Sequence, residues 1–405
     1  MNELDINNPQ LPDFIVPGAD EKKQDEPAKI KVIGVGGGGG NAVNHMYHQG
    51  IGGVSFVLCN TDAQALRNSP VPVKVQLGAK GEGAGNIPEV AKKLAEESAA
   101  EVEALFDDNT RMAFITAGMG GGTGTGAAPV VARIAKEKGV LTVGIVTIPF
   151  LFEGEPKILQ AFAGVEEMRK HVDALLVINN ERLCKIYPDL SWTTAFAKAD
   201  DSLSNAARSI AELVSKDGKI NLDFADVRTT LKDGGAAVIS TGSGEGEHRM
   251  SRAIQNALTS PLLKESDIYG AERVLFNLYF SPEELRMQES KELSEFMLRF
   301  KKKVNVIWGY THDSSLGKAV KITILATGFE VSDLTFKGEY GGDADEHIAQ
   351  SQYIVLKPDQ LDDNDLLEKL DKTPAYDRPK DFRDNFDGSE KKEESNGSGR
   401  RTIRF

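Results

Sequence analysis

The chain has 405 residues, a formal net charge of −13 and a pI of about 5.1. With 40% hydrophobic and 27% charged residues it reads as an ordinary globular protein, long enough for two domains with a sizeable core. The acidic balance argues against non-specific nucleic-acid binding, which depends on Lys and Arg, and weakens any direct docking on an anionic membrane.

Two cysteines, Cys59 and Cys184, are too few for a disulfide framework and suit a reducing compartment. No CxxC or His/Cys cluster suggests zinc. Residues 1–28 are polar and acidic, without an apolar signal core, and read as a disordered arm. No apolar run approaches the length of a bilayer span, so the expectation is a cytoplasmic protein without direct membrane insertion.

From residue 29 the pattern alternates. Ile30–Val35 is an apolar run, followed by glycines and a helical stretch from Asn41 to Gln49. Val54–Cys59 precedes Asn60-Thr61-Asp62 and a helix start. Met112–Ala117 precedes glycines and a helix from Ala127 to Lys138. Leu141–Ile148 ends at Pro149, and Ala174–Ile178 ends at Asn179-Asn180. Strand, loop and helix in repetition imply parallel strands with right-handed crossovers. Near-continuous hydrophobicity implies strands covered on both faces.

Thr193–Ser215 then reads as one long helix, with Phe196, Ala199, Leu203, Ala206, Ile210 and Leu213 forming an apolar stripe. Lys216-Asp217-Gly218 ends it. Beyond it come helix Phe224–Lys232, strand Ala236–Thr241, helix Ser251–Ala257, strand Arg273–Phe280, helix Pro282–Phe300, strand Val304–Gly309 and strand Ala319–Gly328. The expected fold class is α/β: a doubly wound parallel sheet over residues 29–192, a long central helix over 193–216, and a smaller, partly antiparallel α/β domain over 217–333. Flexible tails cover 1–28 and 334–405.

In an open parallel sheet, ligands bind beyond the carboxyl ends of the strands. The loops there are Gly36–Gly40, Asn60–Asp62, Gly118–Gly126, Pro149–Glu155 and Asn179–Glu181, all glycine-rich or polar. The first formally contains GxGxxG and opens into a helix N-terminus, where free N–H groups favour phosphate. It permits a Rossmann reading with Asp62 on a ribose, but not a Walker loop, because no GK[ST] follows. The second, Gly118-Met119-Gly120-Gly121-Gly122-Thr123-Gly124-Thr125-Gly126, combines backbone free to wrap a phosphate with two hydroxyls and another helix N-terminus. A dinucleotide oxidoreductase has no obvious need of two such cradles; a nucleoside triphosphate has.

Gly120–Gly126 spells GGGTGTG. Gly36–Asn41, Asn60-Thr61-Asp62-Ala63-Gln64-Ala65-Leu66, Pro149-Phe150-Leu151-Phe152-Glu153-Gly154 and Asn221-Leu222-Asp223-Phe224-Ala225-Asp226 follow in fixed order. Over residues 29–330 this resembles the tubulin/FtsZ family of polymerising GTPases. The resemblance implies GTP with Mg2+. Phosphates would be held by Gly36, Gly37, Gly38, Gly39, Gly118, Gly120, Gly121, Gly122, Thr123, Gly124, Thr125 and Gly126. Gly83, Ala84 and Gly85 would sense the γ-phosphate. Asn60 and Asp62 would lie near phosphate and metal, although an Asx-type helix cap is an equal reading. No metal ligand is assigned.

By the same resemblance, Glu153 would contact the ribose. Lys157 stands where the family often has arginine, keeping the charge and losing the fork. Phe196 would stack on the base, unless it is simply core on the helical stripe. Asp200 would accept from guanine N1–H and N2–H, with Asp201 as the solvent-facing neighbour, and Asn41 would touch the base from the other side. A helix of about 22 residues spans roughly 33 Å, so Asn221, Asp223 and Asp226 cannot easily reach their own nucleotide. The resemblance makes them catalytic in the pocket of the next subunit, polarising the attacking water; the purely structural reading makes Asp223 an N-cap. A shared site implies a head-to-tail homopolymer at the division site. Either Thr373-Pro374-Ala375-Tyr376 or the basic end Arg400–Phe405 would bind membrane-anchoring and regulatory division proteins.

Overall fold

The computed structural model describes residues 29–182, 189, 191–215, 219–259, 268–281, 285–300, 304–329, 353–356 and 401–404. The expected N-terminal arm, the helix stop at Lys216-Asp217-Gly218, Cys184 and the Thr373–Tyr376 peptide lie outside these residues.

Alternation along each strand decides what it buries. In β1 (Lys29–Val35), Ile30 and Val32 join one core cluster, while Ile33 and Val35 join the other. β4 (Thr110–Gly118) repeats the pattern, with Met112 and Phe114 against Ala113, Ile115 and Ala117. Both faces are apolar, so the strands require cover on both sides. Between β1 and β4 the chain forms α1 (Gly36–His48), β2 (Val54–Asn60), α2 (Ala63–Arg67), β3 (Val73–Gln76), α3 (Pro88–Glu97) and α4 (Ala99–Ala104). After β4 come α5 (Gly122–Glu137), β5 (Leu141–Ile148), a 3-10 turn (Leu151–Glu153), α6 (Glu155–His171) and β6 (Ala174–Asn179). The long helix is α7 (Trp192–Ser215), 24 residues or about 36 Å at the α-helical rise.

The second half supplies α8 (Phe224–Leu231), β7 (Gly235–Gly244), α9 (Arg249–Leu258), β8 (Arg273–Phe280), α10 (Glu289–Met297), β9 (Asn305–His312) and β10 (Val320–Phe329). All these strands lie in one sheet of order β3-β2-β1-β4-β5-β6-β7-β10-β8-β9. β3 to β7 pair in parallel, β10 is antiparallel to both β7 and β8, and β9 is parallel to β8. The halves join narrowly: β6 and β7 pair only at Ala174↔Gly235 and Leu175↔Ala236. α1, α7 and α8 cover one face and α3, α5, α6 and α9 the other, and each apolar layer runs across both halves. A separate antiparallel pair joins β11 (Tyr353–Leu356) to β12 (Arg401–Arg404).

Three expectations shift. α1 and α5 begin five residues earlier than their apolar periodicity predicts, so the glycine runs are themselves first turns. Glycine disfavours helix, but packing overrides propensity here: a Cβ at Gly39 would run into the Thr116 carbonyl, and one at Gly126 into the Pro88 carbonyl. α10 is shorter than Pro282–Phe300. It starts at Glu289, whose carboxylate accepts from Arg286 N at 2.7 Å and pairs with Arg249 at 2.7 Å.

Phe114 is fully buried in the central strand. Phe114→Ala should cost about 3–5 kcal/mol of unfolding free energy, measured by denaturant titration.

Candidate functional site

The glycines of the two loops divide into those that backbone packing requires and those that face open space. A Cβ at Gly36 would stand 2.8 Å from Gly124 N, and one at Gly38 3.1 Å from Gly118 Cα. At Gly122 it would meet Ile87 N at 2.8 Å, at Gly120 Pro149 Cγ at 2.6 Å, and at Gly124 the Gly118 carbonyl. These close approaches bring the starts of α1 and α5 together at the carboxyl end of β4. At Gly37, Gly83 and Gly85, by contrast, nothing lies within 4 Å, and at Gly121 only Asn86 Oδ1 lies at 4.0 Å. The open positions belong to three different loops. They outline a concavity walled by backbone, with two helix N-termini aimed into it.

Thr123 and Thr125 differ from each other. Thr123 Oγ1 is 2.7 Å from Thr61 Oγ1, tying the second strand's loop to α5. Thr125 is buried and its hydroxyl accepts from Gly120 N at 2.9 Å, so this hydroxyl serves the loop itself. Asn60 Oδ1 accepts from Asp62 N at 3.2 Å, and Asp62 Oδ1 caps α2 through Gln64 N at 2.7 Å and Ala65 N at 3.2 Å. The helix-cap reading therefore holds for Asp62, at the rim of the concavity. Gly83 N donates to Thr61 O at 3.0 Å, which anchors the Gly83-Ala84-Gly85 turn beside it; Ala84 is buried.

Beyond β5, Glu153 Oε1 accepts from Phe150 N at 3.1 Å and its Oε2 lies 3.3 Å from Lys157 Nζ. The lysine thus orients the glutamate. Phe150 is buried, stacked on Phe152 at 5.2 Å and met edge-on by Phe196 at 5.1 Å. Phe196 is 46% exposed, which removes it from the core stripe, whereas Leu203, Ala206, Ile210 and Leu213 are buried as expected. Phe152 and Phe196 form an aromatic ledge. Asn41 is exposed on α1 across from α7.

On α7, Asp200 is half-buried, and burial pushes its carboxyl up to about 6; His45 pulls it down and Asp201 raises it, each by less. Asp201 differs from its expected solvent position. It is 2.8 Å from His45 Nε2 and 3.5 Å from Lys198 Nζ, joining α7 to α1. Gln49 Nε2 lies 2.6 Å from His45 Nε2, and Arg208 donates to Gln49 Oε1, so a ladder of polar contacts runs down the α1–α7 seam.

Asp223 and Asp226 make a reciprocal capping box: Asp226 N donates to Asp223 Oδ1 at 3.0 Å and Asp223 N to Asp226 Oδ2 at 3.1 Å. The second oxygen of each takes no hydrogen bond among the described residues. Asn221 is exposed beside them, and Leu222 and Phe224 anchor the turn in the core. Arg111, at the amino end of β4, stands 4.3 Å over the Phe224 ring. The acidic turn is therefore on the sheet edge opposite the glycine concavity.

Sequence reasoning missed several contributors. Gln160 donates to two carbonyls of the second loop, a contact across 40 residues with no local signature. Asn180, in the Asn179–Glu181 loop that the sequence places on the ligand edge without giving this residue a role, has a buried Oδ1 without a partner among the described residues. Among the described residues no group of three or more His, Cys, Asp and Glu could cage a metal ion, and no helix is long and apolar enough to cross a membrane.

Residues 29–188 match the tubulin/FtsZ family GTPase domain and residues 235–330 the FtsZ family C-terminal domain. The chain is 53% identical over 392 residues to the cell division protein FtsZ of Porphyromonas gingivalis (strain ATCC BAA-308 / W83), covering 87% of this chain and 86% of that one. It is 44% identical over 306 residues to the cell division protein FtsZ of Wigglesworthia glossinidia brevipalpis, covering 74% and 79%. Among solved structures it is similar to an empty FtsZ dimer of M. jannaschii, with a TM-score of 0.69 and 40% identity over 78% of this chain and 92% of that one.

Two predictions follow the geometry. Gly39→Ala should destabilise the fold by about 1–3 kcal/mol, because the methyl meets fixed backbone; Gly37→Ala should leave unfolding free energy almost unchanged. Asp200 has a folded value of about 6 against an ordinary 3.8. The stability this group contributes is complete below 3.8 and lost as pH rises through about 6. Asp200→Asn should therefore raise the thermal midpoint at pH 8 and lose that advantage near pH 4.

Proposed function

This chain belongs to the tubulin/FtsZ family, and from that premise we propose that it assembles head to tail and hydrolyses GTP where two copies meet, as a component of the cell-division apparatus. It is a GTPase by family, which sets aside the oxidoreductase that the first loop alone allowed.

One observation supports the divided site above the rest: the glycine concavity and the acidic turn occupy opposite edges of one sheet. A carboxylate at Asp223 or Asp226 reaches a nucleotide in that concavity only from another copy. Exposed apolar residues accompany both edges. Ile87, Val90, Leu151 and Phe152 surround the concavity, and Ile220 precedes Asn221. Different patches meeting head to tail make a heterologous contact, which propagates when it does not close.

In this reading the open N–H groups at the starts of α1 and α5 hold the α- and β-phosphates. The Gly83–Gly85 turn approaches the γ-phosphate. Phe196 stacks on guanine, Asp200 accepts from its N1–H and N2–H, Asn41 touches its far side, and Glu153, held by Lys157, meets the ribose. Magnesium is bound mostly by phosphate oxygens and water, and needs at most one or two carboxylates, so it would arrive with the triphosphate. It would neutralise phosphate charge. Phosphoryl transfer to water asks for orientation and little covalent work. The capping box fixes Asp223 and Asp226 and leaves one oxygen of each to accept from the attacking water. Capping and catalysis are thus compatible. Action in the cytoplasm at the division site, with partners bound through residues 370–405, completes the proposal.

The test is GTP turnover per subunit against protein concentration, with magnesium. Activity near zero below a threshold and rising above it is the expected result. Asp226→Ala should bind GTP and fail to turn it over. Asp226→Asn keeps an oxygen for the cap and should fail equally, which separates charge from the roughly 1 kcal/mol of lost capping. Turnover per subunit that is flat with concentration would overturn the shared site.

A further inference from the structure

We propose that Gln160 is a positioning residue of the phosphate cradle: from α6 it turns two consecutive peptide groups of the second glycine loop so that their N–H bonds face the bound phosphates. The proposal rests on the reading that this loop holds the phosphates.

Gln160 Nε2 lies 3.0 Å from Gly120 O and 3.1 Å from Gly121 O. A primary amide carries two hydrogens on that nitrogen, one for each carbonyl. Carbonyl oxygens only accept, so the amide's orientation is fixed by its partners. In a planar trans peptide, C=O and N–H point in opposite directions. The Gly120 carbonyl shares its peptide with Gly121 N–H, and the Gly121 carbonyl shares its peptide with Gly122 N–H. Holding both carbonyls on the α6 side sends both N–H groups to the other side. Neither N–H has a partner among the described residues, while the preceding one, Gly120 N–H, is already taken by Thr125 Oγ1 at 2.9 Å.

The approach that makes this contact possible is built into both elements. A Cβ at Gly120 would stand 2.9 Å from Lys157 O, and one at Gly164 would stand 2.6 Å from Thr125 Cγ2. Lys157, Gln160 and Gly164 sit at positions i, i+3 and i+7 of α6, on one face. That face lies against the loop, with Gln160 between the two close approaches. Glycine peptides resist rotation least. Without the two hydrogen bonds, either peptide can rotate and present a carbonyl to the phosphate, turning attraction into repulsion. α6 then has two tasks at one site: its first turn carries Lys157, which orients Glu153, and its second turn sets the cradle.

The experiment compares GDP with guanosine, which lacks phosphates, by calorimetric titration of nucleotide-free protein. Gln160→Met keeps the length and removes the donor; Gln160→Ala serves as a second variant. GDP affinity should fall about tenfold, the scale of one or two mis-set hydrogen bonds to a charged group, with guanosine affinity unchanged. Equal losses for both ligands would make Gln160 merely structural and overturn the proposal. Gly121→Ala places a methyl at the open position and tests the underlying reading. If it weakens GDP while Gln160→Met does not, the cradle stands and the role of Gln160 falls. If it leaves GDP binding intact, the loop is not the cradle, and both readings fall together.

Discussion

Everything at the site depends on backbone meeting backbone. Gly39 against the Thr116 carbonyl and Gly124 against the Gly118 carbonyl bring two helices and a strand end closer than any Cβ permits. The reward is electrostatic. Two helix N-termini point to one place, with no side chain between their N–H groups and whatever sits there. The loss of helix propensity from glycine-rich first turns is offset by burial of the middle of α5, whose residues from Gly124 to Ala132 are all buried. Removing any of the packing glycines would push the helices apart and open the concavity, without touching a ligand.

Around this backbone frame the side chains do local work first. Asp62 caps α2, Glu153 closes the turn before α6, and Asp223 and Asp226 cap α8 reciprocally. At Asp223 and Asp226 the cap fixes each carboxylate in one orientation while leaving its second oxygen available. The same hydrogen bonds that stabilise a helix start therefore pre-orient an acid, and positioning is most of what phosphoryl transfer requires. Asp200 is the exception. Its raised carboxyl reports burial without a full set of donors, and on the proposed reading guanine supplies the missing two.

Much of this was legible in the chain. Runs bounded by Gly, Asn and Pro gave the parallel strands, and β8 spans the residues the sequence predicts. The α7 stripe was visible because four of its apolar residues face the core at three- and four-residue spacing. What escaped was tertiary. Propensity hides helix starts made of glycine, because the reason for them lies on another strand. Asp200 and Asp201 are adjacent and chemically equal; only the turn of α7 and the presence of His45, 156 residues from Asp201, separate their roles. The i,i+3 acids at 223 and 226 were legible as a pair, but a cap and a catalytic couple have the same spacing.

On the proposed reading, the sheet's polarity turns a nucleotide site into a direction. Parallel strands place every strand-to-helix loop on one edge, so the concavity collects there by topology. α7 covers about 36 Å along one face and delivers the chain to the other edge, where Arg111 and Phe224 fasten α8. On the proposed reading, a molecule with its cradle on one edge of the sheet and its acidic turn on the other cannot complete the site by folding. A head-to-tail contact would set one copy's acids over the next copy's cradle, and such a contact propagates when it does not close. On the proposed reading, filament growth is thus the geometric completion of a site that one chain divides between its two ends.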